Sequence, residues 1–257
     1  MTDRRSDNLL MIAARAPVAG ATKTRLGKAI GMERAAFLYR AFLKDLASRF
    51  DVEWTGFDLA WTYSPPECDF RSELAAVTGV ASRFARFVPQ DGPDWGVRQL
   101  NLLRWGAGQG YARMILMASD SPHLAVSLIT SGFDVLNDRD IVLGRVRDGG
   151  YYLIGERGFH DVLSTVEMST SSAADGIVQI SLDQGLTVGE LPVTFDVDER
   201  SDLDELIATL RVEPSRCPAT WGAMIRIGLI DGSSGNEEDA RIDNGERLAE
   251  GSARRIH

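Results

Sequence analysis

The run Met114-Ile-Leu-Met-Ala-Ser-Asp120-Ser-Pro122 limits what this chain can fold into more than any other stretch. Its apolar part is continuous and of strand length. That pattern suits a strand buried on both faces, as in a parallel sheet covered by helices. One acid and a proline then close the run, which marks a strand ending and handing over to a helix. Open α/β sheets bind ligands outside the carboxyl ends of their strands. A carboxylate carried there can hold a divalent cation against a phosphorylated substrate. An Asp in this position equally suits a helix N-cap or a turn.

The rest of the chain repeats the strand-to-helix pattern. Leu9–Ala14, Asp58–Tyr63, Ser82–Val88, Asp140–Val146, Tyr151–Gly155 and Leu186–Leu191 read as strands. Between them, Met32–Phe50, Phe70–Val77, Val97–Trp105, Leu124–Leu136 and Ser172–Gln184 read as helices, and a further helix runs from Ser201 to near Leu210. In the first of these, Ala36, Tyr39, Leu43, Leu46 and Phe50 recur at three- and four-residue steps and share one face. Ser201-Asp-Leu-Asp204 has the form of a capping box with Asp in place of Glu. The segment 15–27 reads as a basic loop, and 214–230 as one helix or two short ones. Alternating strands and helices predict an α/β fold, a three-layer sandwich around a mostly parallel sheet. A single domain over 9–230 is expected, with a flexible N-terminus over 1–8. The segment 231–257 is rich in Gly, Ser, Asp, Glu and Arg, and is expected to be a disordered polar tail.

Composition removes several classes of function. The formal net charge of −9 disfavours broad nucleic-acid binding. Two cysteines, Cys68 and Cys217, form neither a zinc motif nor a disulfide framework. No apolar run approaches the ~20 residues needed to span a bilayer. The polar stretch Met1–Asn8 lacks the apolar core of a secretory signal. A cytoplasmic protein that binds neither membrane nor nucleic acid is therefore expected.

Residues suited to chemistry gather after predicted strands. Arg15, Lys23 and Arg25 lie in a small-residue loop from which they can converge on phosphate oxygens. A solvated basic loop is the competing reading, and the spacing is not that of a Walker motif. Asp148-Gly149-Gly150 forms a turn between two strands, beyond which Tyr151 and Tyr152 face opposite ways. A plain Asp-Gly hairpin explains it as well. Asp196 and Asp198 alternate onto one strand face and, with Asp120, offer oxygens to Mg²⁺ or Mn²⁺. Acids starting a helix are the other explanation, and Asp202 fits it. His123 and His160 stand apart, as surface or cap histidines. No histidine base is placed beside Ser119 or Ser121, so a Ser-His-Asp hydrolase is unsupported.

In order, Pro17, Gly20 and Lys23-Thr-Arg25-Leu26, Asp94-Trp-Gly96-Val-Arg98, Asp120-Ser-Pro122, Asp148-Gly-Gly-Tyr151 and Asp196-Val-Asp198 with Asp202-Leu203 resemble the bacterial DUF2064 family. That family sits in the GT-A, or nucleotide-diphospho-sugar transferase, superfamily. Its members include glycosyltransferases found with arsenosugar biosynthesis. The resemblance spans roughly 9–210 and implies the GT-A-like fold. The chain departs from the family pattern with Arg15 for a lysine, Trp95 for a leucine, Ala118-Ser119 before Asp120, and Arg145-Val-Arg147 in place of an apolar segment.

The resemblance implies a metal-dependent glycosyltransferase acting on a nucleotide-diphospho-sugar and a small-molecule acceptor. Asp120 and Asp198 would hold Mg²⁺ or Mn²⁺. Arg15, Lys23, Thr24, Arg25, Asp94 and Arg98 would bind the nucleotide and its phosphates, with Lys23 and Arg25 steadying the leaving diphosphate. Asp148 would orient acceptor or sugar hydroxyls or act as base, and Arg145, Gly149, Gly150 and Tyr151 would bind substrate. Two rivals share the fold. One is a nucleotidyltransferase that joins a nucleoside triphosphate to a phosphorylated small molecule, resembling phospholactate guanylyltransferase-like proteins, with Arg145 and Arg147 receiving the anion. The other is a non-catalytic nucleotide-binding relative.

Overall fold

The computed structural model describes residues 4–53, 55–168 and 170–231. The predicted strand at Met114 is β4 (Arg113–Ala118), and it lies near the middle of a seven-stranded sheet. The other strands are β1 (Asn8–Arg15), β2 (Asp58–Ser64), β3 (Arg86–Pro89), β5 (Ile141–Val146), β6 (Tyr151–Arg157) and β7 (Val188–Thr194). They run in the order β3-β2-β1-β4-β6-β5-β7. β1 is parallel to both β2 and β4, and β5 is parallel to β7. β6 alone runs antiparallel, to β4 and to β5, because the short turn after β5 sends the chain straight back.

Helices cover both faces: α1 (Thr24–Ile30), α2 (Met32–Phe50), α3 (Phe70–Thr78), α4 (Trp95–Gly108), α5 (Val126–Asp138), α6 (Ala173–Asp183), α7 (Arg200–Val212) and α8 (Pro218–Arg226). Strand alternation sorts the core. Leu10, Ile12, Ile115 and Met117 face α2, α5, α7 and α8, whereas Leu9, Met11, Met114 and Leu116 face α4 and α6. Each fully buried Leu or Ile of this kind contributes about 1.5–3 kcal/mol. The result is the expected three-layer α/β/α sandwich.

Several local expectations are corrected. The basic loop is cut short by α1, which begins at Thr24. β3 starts at Arg86 rather than Ser82. The capping box of α7 lies earlier than expected: Glu199 is its first member and Asp202 its second. The segment 214–230 takes the second of its two readings, two short helices: a 3-10 turn, Pro214–Arg216, and α8. α2 is buried on more than its predicted stripe because α8 packs against it, and Asp45 within α2 accepts bonds from Ala219 N (2.9 Å) and Thr220 N (2.8 Å) at the start of α8. His123 is no surface residue. It stacks on Phe195 with centroids 4.2 Å apart, and burial, with Arg216 and Arg49 nearby, holds its pKa down to about 4. Ahead of β1, Arg5 N donates to Asp58 (3.1 Å) and Ser6 Oγ to Gly56 O (2.9 Å). Of the expected polar tail only Asp231 is described, and residues 1–3 of the N-terminal segment likewise lie outside the described residues. Among the described residues, no helix is long and apolar enough to cross a membrane.

Candidate functional site

The parallel strands end at one edge of the sheet. β1 and β4 are neighbours there, and their connections leave in opposite directions, β1 toward β2 and β4 past the place of β6 to β5. That is a topological switch point, where such sheets open a crevice. Tyr39 of α2 bridges its floor. Its hydroxyl accepts from Arg15 N (3.0 Å) at the end of β1 and bonds Ser119 Oγ (2.7 Å) after β4. Burial pushes the Tyr39 pKa up to about 12, so it stays neutral.

Asp120 follows Ser119, and the chain after β7 is laced to it. Val197 N donates to Asp120 O (3.0 Å), and Ser121 Oγ donates to Phe195 O (3.0 Å). These bonds, not a strand, bring Asp196 and Asp198 to the crevice, since β7 already ends at Thr194. The shared strand face predicted for the two acids is therefore replaced by an irregular segment, yet both still reach the site.

Lys23 closes the cluster. Its ammonium lies 2.6 Å from Asp120 Oδ1 and 2.8 Å from Asp198 Oδ1, and it donates to Val197 O at 2.8 Å. Its side chain is only 4% exposed. Burial works against its charge, but Asp120 and Asp198 outweigh that cost and raise its pKa. Lys23 is also the one non-glycine residue with positive φ (53°) among the described residues. Such a conformation persists where the surroundings fix it, and here three acceptors do so. Arg25 pairs with the other oxygen of Asp198 at 2.5 Å and with Glu199 at 3.3 Å. Burial opposes ionisation of Asp198, but Lys23 and Arg25 hold its pKa below the ordinary value.

Two cavities meet at this cluster. The first, of about 500 Å³, is lined by Arg15, Lys23, Thr24, Arg25, Arg98 and Asp94 among others. Asp94 is partly spent in capping α4 through Val97 N (2.9 Å), while Arg98 Nε braces the preceding loop at Gly92 O (2.8 Å). The second, of about 390 Å³, is lined by Trp95, Tyr151 and Met168 and by the acids Asp120, Asp148, Asp196 and Asp198. Arg25, Trp95, Ala118, Asp120 and Asp198 border both. Burial, then Asp198 and Asp120, raise Asp196 to about 6.

The turn after β5 supplies the second cavity. Asp148 accepts from Gly150 N (3.0 Å) through one oxygen. Tyr151 is fixed by Gln99 Nε2 (2.7 Å) and by the Met168 sulfur (3.4 Å). Tyr152 packs its ring against Gly144 on the other face of β6, donates to Pro192 O (3.1 Å) and still borders this cavity. Gly150 lines the cavity, but Gly149 does not. A Cβ on Gly149, which has φ +90°, would stand 1.8 Å from Ser171 O. Its glycine lets the 170–174 segment cross the turn, and Ala174 N reaches Gly149 O at 3.2 Å.

Arg145 and Arg147 are not brought into either cavity. Arg145 binds Asp175 (2.7 Å) and Glu190 (3.0 Å), and Arg147 binds Glu205 (2.5 Å). The remaining predicted site residues line one cavity or both, apart from Gly149. Tyr39, Gln99, Met168 and the placement of Trp95 were not expected as parts of the site. They come from distant segments, and no local pattern marks them.

A model of the family described as "Uncharacterized protein conserved in bacteria (DUF2064)" matches residues 66–170. That stretch takes in the Asp94–Arg98, Asp120–Pro122 and Asp148–Tyr151 motifs, and the motifs at 17–26 and 196–203 lie outside it. The chain is also similar to a Desulfovibrio desulfuricans G20 protein provisionally named a nucleotide-diphospho-sugar transferase. The two are 29% identical, the match covers 87% of this chain and 96% of the other, and the TM-score is 0.79. A cytidylyltransferase of Leptospira borgpetersenii shares the fold at 12% identity, with 83% and 97% of the chains covered and a TM-score of 0.50. A Mycobacterium sp. strain JC1 homologue of the Mycobacterium tuberculosis protein Rv0371c does so at 18% identity, with 81% and 100% covered and a TM-score of 0.50. No curated protein matches the chain. The fold is that of the nucleotide-diphospho-sugar transferases.

Proposed function

We propose that this chain is a nucleotide-dependent glycosyltransferase that takes a nucleotide-diphospho-sugar in the cationic cavity and an acceptor in the acidic one. One observation carries the reading: the two cavities have opposite lining charge and meet at Asp120, Asp198 and Arg25. A diphosphate suits the side of Arg15, Lys23, Arg25 and Arg98. The name of the Desulfovibrio relative points the same way.

In this reading the acceptor oxygen bonds to the donor sugar carbon as that carbon's bond to the diphosphate breaks. The electron pair leaves with the nucleoside diphosphate, whose growing charge Lys23 and Arg25 stabilise. Asp148, with one oxygen held by Gly150 N, turns the other toward the acceptor and takes its proton.

The family implies a divalent cation, and the donor set fits one. In support of this, one carboxylate oxygen of Asp120 and one of Asp198 lie close enough together to share the Lys23 ammonium, at 2.6 and 2.8 Å. Among the described residues no cluster of three or more His, Cys, Asp or Glu makes a protein cage. Two carboxylates completed by substrate phosphates are the usual Mg²⁺ arrangement. Asp120 and Asp198 would hold Mg²⁺ or Mn²⁺, which when bound would supply Lewis-acid neutralisation of the diphosphate.

Nucleotidyl transfer to a phosphorylated molecule fits the site less well, because its anionic acceptor would enter past the four acids. A thermal-shift panel of UDP-, GDP- and CDP-sugars against nucleoside triphosphates, with and without Mn²⁺ or Mg²⁺, tests the proposal. Stabilisation by one nucleotide sugar is expected. Stabilisation by triphosphates alone, with pyrophosphate release on adding a phospho-acid, would overturn it. No nucleotide response under any metal would leave a non-catalytic relative.

A further inference from the structure

We propose that the acidic cavity selects an acceptor whose hydroxyl-bearing end is free of negative charge and lays a ring face against Trp95, Tyr151 and Met168. This deepens the glycosyl-transfer reading and rests on it for the word acceptor, although the charge selection follows from the cavity itself. Asp120, Asp148, Asp196 and Asp198 line the space, and Arg25 is the one cation among the described residues that line it. Arg25 is already committed to Asp198 (2.5 Å) and Glu199 (3.3 Å).

Lys23 does not line this cavity, and its ammonium is held by Asp120 (2.6 Å) and Asp198 (2.8 Å) at the edge of it, away from a phosphate or carboxylate on the acceptor. Arg145 and Arg147 extend from the neighbouring strand and turn but are turned to Asp175, Glu190 and Glu205. An anion entering the cavity would meet Asp148 and Asp196, which have no ion-pair partner among the described residues, within a partly desolvated space where like charges repel strongly. Hydroxyl groups meet the opposite situation. Asp196 holds no hydrogen bond or ion pair among the described residues, and Asp148 accepts through one oxygen only, so both can accept from a polyol.

The apolar wall sets the second requirement. Tyr151 cannot swing, because Gln99 and Met168 hold its hydroxyl at 2.7 and 3.4 Å. Met168 in turn packs at Gly96, where any Cβ would come within 3.2 Å of Met168 Cγ. Trp95, which opens α4 beside Gly96, lines the same cavity and adds a second ring to its apolar wall. Such surfaces favour the C–H face of a sugar or an aryl group over a flexible chain.

Saturation-transfer NMR with phenyl β-D-glucoside and its 6-phosphate tests this on the full chain. The neutral glycoside is expected to bind, with the phosphate at least tenfold weaker. Tyr151→Ala should weaken the neutral probe, and Asp148→Lys, in an exposed turn, should narrow the gap between the probes severalfold. Melting curves show that each variant folds. Equal or tighter binding of the phosphate to the unaltered chain would overturn the proposal, as would no binding of either probe. Nucleotide-sugar stabilisation is read separately. A chain that binds the neutral glycoside but no nucleotide sugar loses the donor reading and keeps this one.

Discussion

The ammonium of Lys23 lies 2.6 Å from Asp120 Oδ1, so the turn before α1 and the end of β4 are joined by a nearly buried ion pair. Asp198 completes the pair into a bridge at 2.8 Å. Removing the cation would leave two carboxylates facing each other. Lys23→Met is therefore expected to cost about 2–4 kcal/mol, less than a fully buried pair because both acids keep some solvent. Mg²⁺ should restore part of the loss by taking the ammonium's place. Melting curves with and without Mg²⁺ check this, and an unchanged midpoint would count against the bridge.

Asp120→Asn keeps the size of the side chain and a hydrogen bond to Lys23 while removing a charge. Nucleotide-sugar affinity in the presence of Mg²⁺ or Mn²⁺ should fall at least tenfold, toward the metal-free value, with the fold intact. Titration calorimetry with and without metal measures it. Unchanged metal-dependent affinity would remove Asp120 from cation holding.

Gly149→Ala should be among the most damaging small substitutions in the chain. The new Cβ would meet Ser171 O at 1.8 Å in a backbone of φ +90°. We expect a loss of about 2–4 kcal/mol. The acceptor probe should also bind less well, since Ser171 lines that cavity. Chemical denaturation reads the first effect and NMR the second.

Glu156 gives a pH dependence away from the site. It is fully buried in β6, one carboxyl oxygen has no partner among the described residues, and burial raises its pKa from 4.5 to about 8. The folded chain thus keeps a proton that the unfolded chain releases, so stability falls as pH rises from about 4.5 to about 8 and then levels. Glu156→Gln should abolish that slope, on the order of a few kcal/mol across the window. Denaturation midpoints at several pH values test it, and parallel profiles for the two proteins would refute it.

Arg145→Ala provides the contrast. Its guanidinium serves Asp175 and Glu190 at the surface, so nucleotide-sugar affinity should not change and stability should move by less than about 1 kcal/mol. A tenfold loss of donor affinity would place Arg145 in the site after all.

The sandwich was legible because its strands are apolar on both faces and its helices carry their own stripes. Met32–Phe50 is bounded as predicted, since an apolar period of three to four residues is a local property. The insertion of β6 between β5 and β4 was not legible. A short Asp-Gly-Gly turn announces a reversal, but which strand the returning chain joins depends on the free edge of β4. α1 escaped detection because a seven-residue helix has too few turns for a period to show.

For the site, residue types and order were enough to nominate Lys23, Arg25, Asp120, Asp148 and Asp198, because strand ends in a parallel sheet share one edge whatever the loops do. The sequence determined by itself the chemistry delivered to that edge. Tertiary structure decided which charges meet. Lys23 and Arg25 turn to Asp198, Arg145 and Arg147 turn away to Glu190 and Glu205, and Gly149 serves Ser171 instead of a ligand. Coulomb and hydrogen-bond energies depend on distances of a few ångströms between segments far apart in the chain, and only packing sets those distances.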